Sequence, residues 1–134
     1  MKTIMNDNTA VIEVKYGDII WTIFPEGFGS VQSGKRPAIV VSNDMNNVHS
    51  PVVNVCPITS SNHKKNNKDY LPIHIPISTE GTGLKRDSVI LCESSCPIDK
   101  RQILNKVGHI YNETLIEKIK KALAIQFNMA WQFL

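Results

Sequence analysis

The segment that decides the fold reads IIWTIF over residues 19–24, an alternating run of β-branched and aromatic side chains. It ends a longer apolar stretch, residues 11–24, which is interrupted by YGD at residues 16–18. Side chains of this kind favour extended structure because they pack well on a pleated surface. Since apolar residues fall on both sides of the alternation, the segment predicts a strand with an apolar bias on both faces.

Further short apolar runs follow along the chain, as is typical of a mainly β domain. They cover residues 38–41, 52–58, 70–77, 89–92 and 107–110. Pro72 and Pro76 share one face of the run at 70–77, and proline cannot donate to a β ladder, so this strand is expected at a sheet edge. Polar loops are predicted for residues 25–34, 43–50 and 59–69, and one or two helical turns for residues 97–104.

The periodicity changes near the C-terminus. From Glu113 onward, apolar residues recur at spacings of three and four, which predicts an amphipathic helix capped by Asn112. The expected fold is mainly β with a C-terminal helix, as a curved sheet or partly open barrel on which the helix packs. A length of 134 residues suits one domain spanning the chain, with residues 1–10 as a loose N-terminal extension.

Composition limits the cellular compartments and the kinds of partner that are compatible with this sequence. The net charge of +3 permits an anionic partner without requiring one. Three cysteines make a poor disulfide framework, and Cys92 and Cys96 lack a second Cys or His pair for zinc. Neither a signal peptide nor an apolar run near the ~20 residues needed to span a bilayer is present. We therefore expect a cytoplasmic protein without metal, cofactor or membrane contact.

Few residues of the sequence are candidates for catalysis or for binding a charged ligand. Phosphate-binding loops, nucleophile elbows and zinc-protease motifs are absent, and the carboxylates do not cluster as a magnesium site requires. Arg36 precedes Pro37 at the start of a buried run, where a guanidinium can bind phosphate through its forked donors. Thr59 and Ser60 follow the run at 52–58, and their hydroxyls can bond phosphoryl oxygens. A purely structural role for each of these residues stays open on composition alone.

Seven blocks of the sequence resemble, in the same order, those of the MazF/PemK toxins. They read GDIIW at 17–21, GSVQSGKRP at 29–37, AIVVSND at 38–44, SPVVNVCPIT at 50–59, LPIHI at 71–75, KRDSVILCE at 85–93 and PIDKR at 97–101. The resemblance implies an SH3-like, partly open barrel with a C-terminal helix, a fold shared with CcdB toxins and usually found as a homodimer. It also implies the toxin of a toxin–antitoxin system, a metal-independent, sequence-specific endoribonuclease that cuts single-stranded mRNA. A MazE-like antitoxin is then expected to lie along the RNA groove.

The resemblance also assigns site residues. Arg36 and Thr59 are the expected catalytic pair: Arg36 stabilises the phosphorane and protonates the leaving group, and Thr59 bonds a phosphoryl oxygen. The expected RNA-binding residues are Phe28, Ser30, Gln32, Ser60, Lys64, Lys65 and His74. Of these, Phe28 would stack on a base, and the lysines would supply salt-dependent attraction to phosphates.

Two departures from the family pattern leave alternatives open. Val31 stands where many members have a glutamate that is a proposed base, so the proton acceptor is unassigned, with His63 and His74 as candidates. Cys96 stands where an arginine is common, which affects the bases that are read. The alternatives to cleavage are a homologue that only binds RNA or an antitoxin, and a gyrase poison like CcdB.

Overall fold

The computed structural model describes residues 11–25, 34–60 and 73–129, which form seven β-strands and two α-helices. The strands are β1 (Asp18–Phe24), β2 (Gly34–Val40), β3 (Val52–Ser60), β4 (His74–Ile77), β5 (Ser88–Leu91), β6 (Cys96–Asp99) and β7 (Ile103–His109). The helices are α1 (Asp44–His49) and α2 (Glu113–Gln126), with short 3₁₀ helices at Cys92–Ser94 and Lys100–Gln102. Within these ranges no helix has the length and apolar character needed to cross a bilayer.

All strand pairs are antiparallel, and the sheet order is β4-β5-β3-β2-β1-β7. Strand β6 pairs with the first half of β3, on the edge that β5 joins further along. The expected mainly β fold with a C-terminal helix is confirmed. The predicted edge strand is confirmed as well, since β4 ends the sheet, and residues 70–72 of that prediction lie outside the described ranges.

The core lies on both faces of this sheet. Ile19 and Ile20 are adjacent and fully buried, yet they belong to separate hydrophobic clusters. Ile19 joins the cluster that packs under α2 through Ile119, and Ile20 joins Val40 and Val53 on the opposite side. This arrangement explains the apolar bias on both faces of residues 19–24, since successive strand residues point in opposite directions.

The C-terminal helix begins as predicted. The Asn112 side chain accepts a hydrogen bond of 3.1 Å from the Leu115 amide and so caps α2. The apolar face then buries Ile119 and Ala122 against the first cluster. Phe127, which continues the predicted apolar face, lies one residue beyond the helix and is exposed.

The prediction of one or two helical turns within residues 97–104 is confirmed for one turn, the 3₁₀ helix at Lys100–Gln102, which Asp99 caps. The turn is short, with strand on both sides, because Asp99 and Gln102 exchange reciprocal capping bonds.

One local prediction was wrong. Residues 43–50 contain α1 rather than a loop. Asn47 stabilises α1 from within the protein: it is buried and donates to the Ser42 carbonyl at 2.8 Å.

The turn at residues 79–83 lies directly against β7. A Cβ atom on Gly83 would stand 2.2 Å from the Val107 oxygen, and one on Gly108 would stand 2.0 Å from the Thr82 oxygen. Gly83 also has a φ of +81°, which side chains other than glycine rarely adopt. Both glycines are therefore required for this approach, which positions the turn beside the site described next.

Candidate active-site cleft

A cleft of about 590 Å³ opens near the point where β2 and β3 separate. The two strands pair only from Ala38 to Val40, opposite Pro57 to Val55. Continuing the same register by two residues would set Arg36 opposite Thr59. Both residues line the cleft, so the fold brings together the two residues that were predicted as a catalytic pair.

The cleft combines cationic, hydroxyl and apolar side chains. Its lining consists of Trp21, Lys35, Arg36, Pro37, Ile58, Thr59, Ser60, Gly83, Leu84, Lys85, Arg86, Ser88, Asn105 and Val107. Four of these residues are lysine or arginine, and among the described residues that line the cleft there is no carboxylate and no imidazole. Such a lining attracts a polyanion, because the described residues around the cleft carry positive charge and no negative charge that would repel it.

Buried neighbours hold the catalytic candidates in place. Arg36 is half-buried, and its partner in the β ladder is Thr22, a fully buried residue whose hydroxyl donates to the Gln102 carbonyl at 2.8 Å. Thr59 is also half-buried, and it pairs with the fully buried Val89 of β5. Rigid strands therefore position both functional groups, which reduces the entropy lost when a phosphate binds.

Sequence reasoning did not identify Lys85 and Arg86 as site residues. They precede β5 and line the same cleft as Arg36, and the Arg86 carbonyl accepts a 2.9 Å hydrogen bond from the Ser88 hydroxyl. A signal was present in the sequence, because two adjacent cations stand just before a buried strand in both KR at 85–86 and KR at 35–36.

His74 has a different environment from Ser60, although both were predicted to bind RNA. Ser60 lines the cleft, whereas His74 is buried on β4 and does not contribute to its lining. Its Nε2 lies 2.6 Å from the Glu93 carboxylate, whose other oxygen, Oε1, is buried and has no hydrogen-bond partner within the described ranges. His74 as an RNA contact or proton acceptor stays a prediction.

The other predicted residues lie outside the described ranges. They are Phe28, Ser30, Gln32, Lys64 and Lys65, together with Val31 and the alternative base His63. Their assignments stay predictions.

The thiols belong to the core more than to the cleft. Cys56 and Cys92 are fully buried, and a hydrogen bond between their side chains, together with burial, raises the pKa of Cys56. Cys96 is partly buried, and desolvation raises its pKa too. Raised pKa values disfavour the reactive thiolate, so Cys56 and Cys96 are poor nucleophiles.

The sequence and the fold both match known toxins. A profile for the PemK-like, MazF-like toxin of type II toxin–antitoxin systems matches residues 15–127. Endoribonuclease EndoA of Bacillus subtilis (strain 168) is 38% identical over 112 residues, which cover 84% of this chain and 92% of that protein.

Solved structures share the fold at lower sequence identity. A crystal structure of MazF from Deinococcus radiodurans superposes with a TM-score of 0.71 at 22% identity, covering 88% of this chain and 99% of that chain. An endoribonuclease in complex with its cognate antitoxin from a mycobacterial species has a TM-score of 0.65 at 18% identity, covering 95% and 99%. Because the family profile spans most of the chain, this protein belongs to the PemK-like, MazF-like toxin family of type II toxin–antitoxin systems.

Proposed function

We propose that this toxin is a sequence-specific endoribonuclease that cuts single-stranded mRNA in the cleft holding Arg36 and Thr59. The observation that carries the proposal is the presence of both residues in one cleft with Lys35, Lys85 and Arg86. The Bacillus relative, which is named as an endoribonuclease, supports the same activity.

The chemistry is an internal transfer within the RNA. The 2′-oxygen forms a bond to the adjacent phosphorus while the bond from phosphorus to the 5′-oxygen breaks. The 2′-hydroxyl gives its proton to a base, and a second proton is delivered to the departing 5′-oxygen. No co-reactant is consumed, so the protein's task is to align these atoms and stabilise charge on the phosphoryl oxygens.

Arg36 and Thr59 suit the two ends of this task. The guanidinium of Arg36 offers several donors in one plane, so it can bind two phosphoryl oxygens as negative charge builds on them. The Thr59 hydroxyl can donate to a phosphoryl oxygen from the opposite strand. Arg36 also stands as the proposed source of the proton for the leaving oxygen.

The proton acceptor lies outside this pair. Of the two histidine candidates, we favour His63, because the Nε2 of His74 already lies 2.6 Å from the Glu93 carboxylate. We further propose that cleavage needs no metal ion, since cationic side chains supply the charge that a metal would otherwise provide.

The same proposal covers the partners. A MazE-like antitoxin would occupy the RNA groove of this toxin. A structure of MazE–MazF from Deinococcus radiodurans, which matches with a TM-score of 0.67, supports an antitoxin as partner. We propose that the toxin acts in the cytoplasm, where mRNA is present, and that it forms a homodimer.

The test is cleavage of a long single-stranded RNA by the antitoxin-free protein in EDTA. The parent should release discrete fragments, Arg36→Ala should leave the RNA intact, and Arg101→Ala should cut like the parent because Arg101 does not line the cleft. RNA that a folded parent leaves intact both in EDTA and with added Mg²⁺ would contradict the proposal and favour the non-cleaving homologue. Cleavage that EDTA abolishes would contradict the metal-independent step alone.

A further inference from the structure

A second cleft, of about 460 Å³, lies beside the first. It is lined by Lys15, Asp18, Gly81, Thr82, Gly83, Lys106, Val107, Gly108, His109 and Tyr111. Gly83 and Val107 line both clefts. The two clefts are therefore neighbours, separated by the turn that packs against β7.

A buried carboxylate holds two donor side chains of this second cleft in place. Asp18 is only 3% exposed, and its Oδ1 lies 2.7 Å from Nδ1 of His109. Its Oδ2 accepts a 2.8 Å hydrogen bond from the Lys15 amide and lies 3.5 Å from Nζ of Lys106. The side chains of His109 and Lys106 nevertheless remain 28% and 46% exposed. Asp18 thus holds two donors in position while both can still reach an anion from solvent.

An exposed aromatic ring completes the arrangement. Tyr111 is 82% exposed, and its ring meets the His109 imidazole edge-on, with the ring centres 4.7 Å apart. An aromatic face that is open to solvent beside cationic donors is the combination with which proteins bind single-stranded nucleic acid, because bases stack on the ring and phosphates bind the cations.

The boundary between the clefts is narrow. Gly83 and Gly108 bring the turn and β7 into backbone contact, because neither position has room for a Cβ atom. An extended strand bound at Arg36 therefore has a short path over this boundary to Lys106 and Tyr111.

We propose that the second cleft binds a nucleotide of the same RNA strand, flanking the bond that is cut. Its phosphate is bound by Lys106, His109 and Lys15, and its base stacks on Tyr111. The inference rests on the proposed endoribonuclease function and adds a subsite to it, because longer RNAs gain contacts that the Arg36 cleft does not provide.

The test compares the affinity of the Arg36→Ala protein for two single-stranded RNAs, of about 4 and about 12 nucleotides, the shorter sequence being contained in the longer one. The longer RNA should bind more tightly than the shorter one. Adding Tyr111→Ala to the Arg36→Ala protein should reduce the ratio of these two affinities about 5- to 20-fold, whereas adding Tyr111→Phe should leave the ratio unchanged. Lys106→Gln should reduce the slope of log affinity against log salt concentration by the amount that about one phosphate contact contributes. Phe127→Ala and Lys118→Gln, at exposed positions outside both clefts, serve as matched controls.

The outcomes separate this inference from the function on which it rests. Because binding is measured without cleavage, a parent that binds RNA but does not cut it contradicts the nuclease proposal and leaves the subsite testable. An unchanged length advantage in folded Tyr111→Ala overturns the subsite. A glutamate-rich peptide serves as a second probe. If Tyr111→Ala or Lys106→Gln lowers the affinity for this peptide and leaves RNA binding unchanged, the subsite is also overturned, since the cleft would then bind an acidic protein partner.

Discussion

The two neighbouring clefts hold their cations in different ways. The cleft at Arg36 has four cationic residues and, in the described part of the chain, no carboxylate in its lining. In the cleft at His109, the buried Asp18 contacts both the His109 imidazole and the Lys106 ammonium group. A cluster of cations whose described lining holds no carboxylate responds strongly to charge that develops during a reaction, whereas donors already held by a carboxylate gain less from it. The comparison therefore assigns chemistry to the first cleft and strand docking to the second.

The largest expected effect tests the chemical side of this comparison. Arg36→Lys keeps the charge but loses the planar fork, so it should lower the single-turnover cleavage rate at saturating RNA about 100- to 1,000-fold, nearly as much as Arg36→Ala. Lys106→Gln should instead weaken the binding of long RNA and leave that rate within about threefold. Equal rate losses for both variants would remove the distinction between the clefts.

The next effect concerns the boundary that separates the clefts. Gly108→Ala places a Cβ atom 2.0 Å from the Thr82 oxygen, so the turn must move away from β7. We expect the free energy of unfolding in urea to fall by about 2–3 kcal/mol, as in overpacked sites. Leu104→Ala, at an exposed position on the same strand, should cost less. Equal costs would show that the close approach contributes nothing.

A smaller effect sharpens the role of the buried carboxylate. Asp18→Asn removes the negative charge that faces His109 and Lys106. Because both partners are partly exposed, solvent screens these contacts, and we expect the free energy of unfolding to fall by only about 1–2 kcal/mol. In urea unfolding, the double variant Asp18→Asn, His109→Gln should lose less than the sum of the single variants. Strict additivity would mean that the 2.7 Å contact carries no coupling energy.

The smallest effect comes from Tyr16, in the same segment as Asp18. Its buried hydroxyl has no hydrogen-bond partner among the described residues, so Tyr16→Phe should be neutral or stabilise the protein by up to about 1 kcal/mol at neutral pH. Desolvation raises the pKa of Tyr16 to about 12 from 10.0. Because the unfolded chain ionises first, stability should fall between pH 10 and 12 in the parent.

Urea unfolding of the parent and of Tyr16→Phe across that pH range provides the check. The variant should lose the part of the pH dependence that Tyr16 contributes. A stability loss of the same size in both proteins would contradict the assignment of the titration to Tyr16.

The predictable part of the site came from local sequence. Arg36 and Thr59 lie within recognisable motifs, on β2 and β3, and the register between these strands explains why the two residues share a cleft. Lys85 and Arg86 were missed as site residues because only the turn packed against β7 brings them to that cleft. Helix α1 was missed because its buried contact between Asn47 and Ser42 has no periodic signature.

By itself, the sequence determined the strands with two apolar faces, the edge strand, the capped C-terminal helix and the family motifs around Arg36 and Thr59. These features depend on side-chain alternation and on residues close in the chain. Only the tertiary structure decided which distant groups meet. Asp18 and His109 are 91 positions apart, and their 2.7 Å contact exists because β1 and β7 pair, a choice that no local pattern encodes.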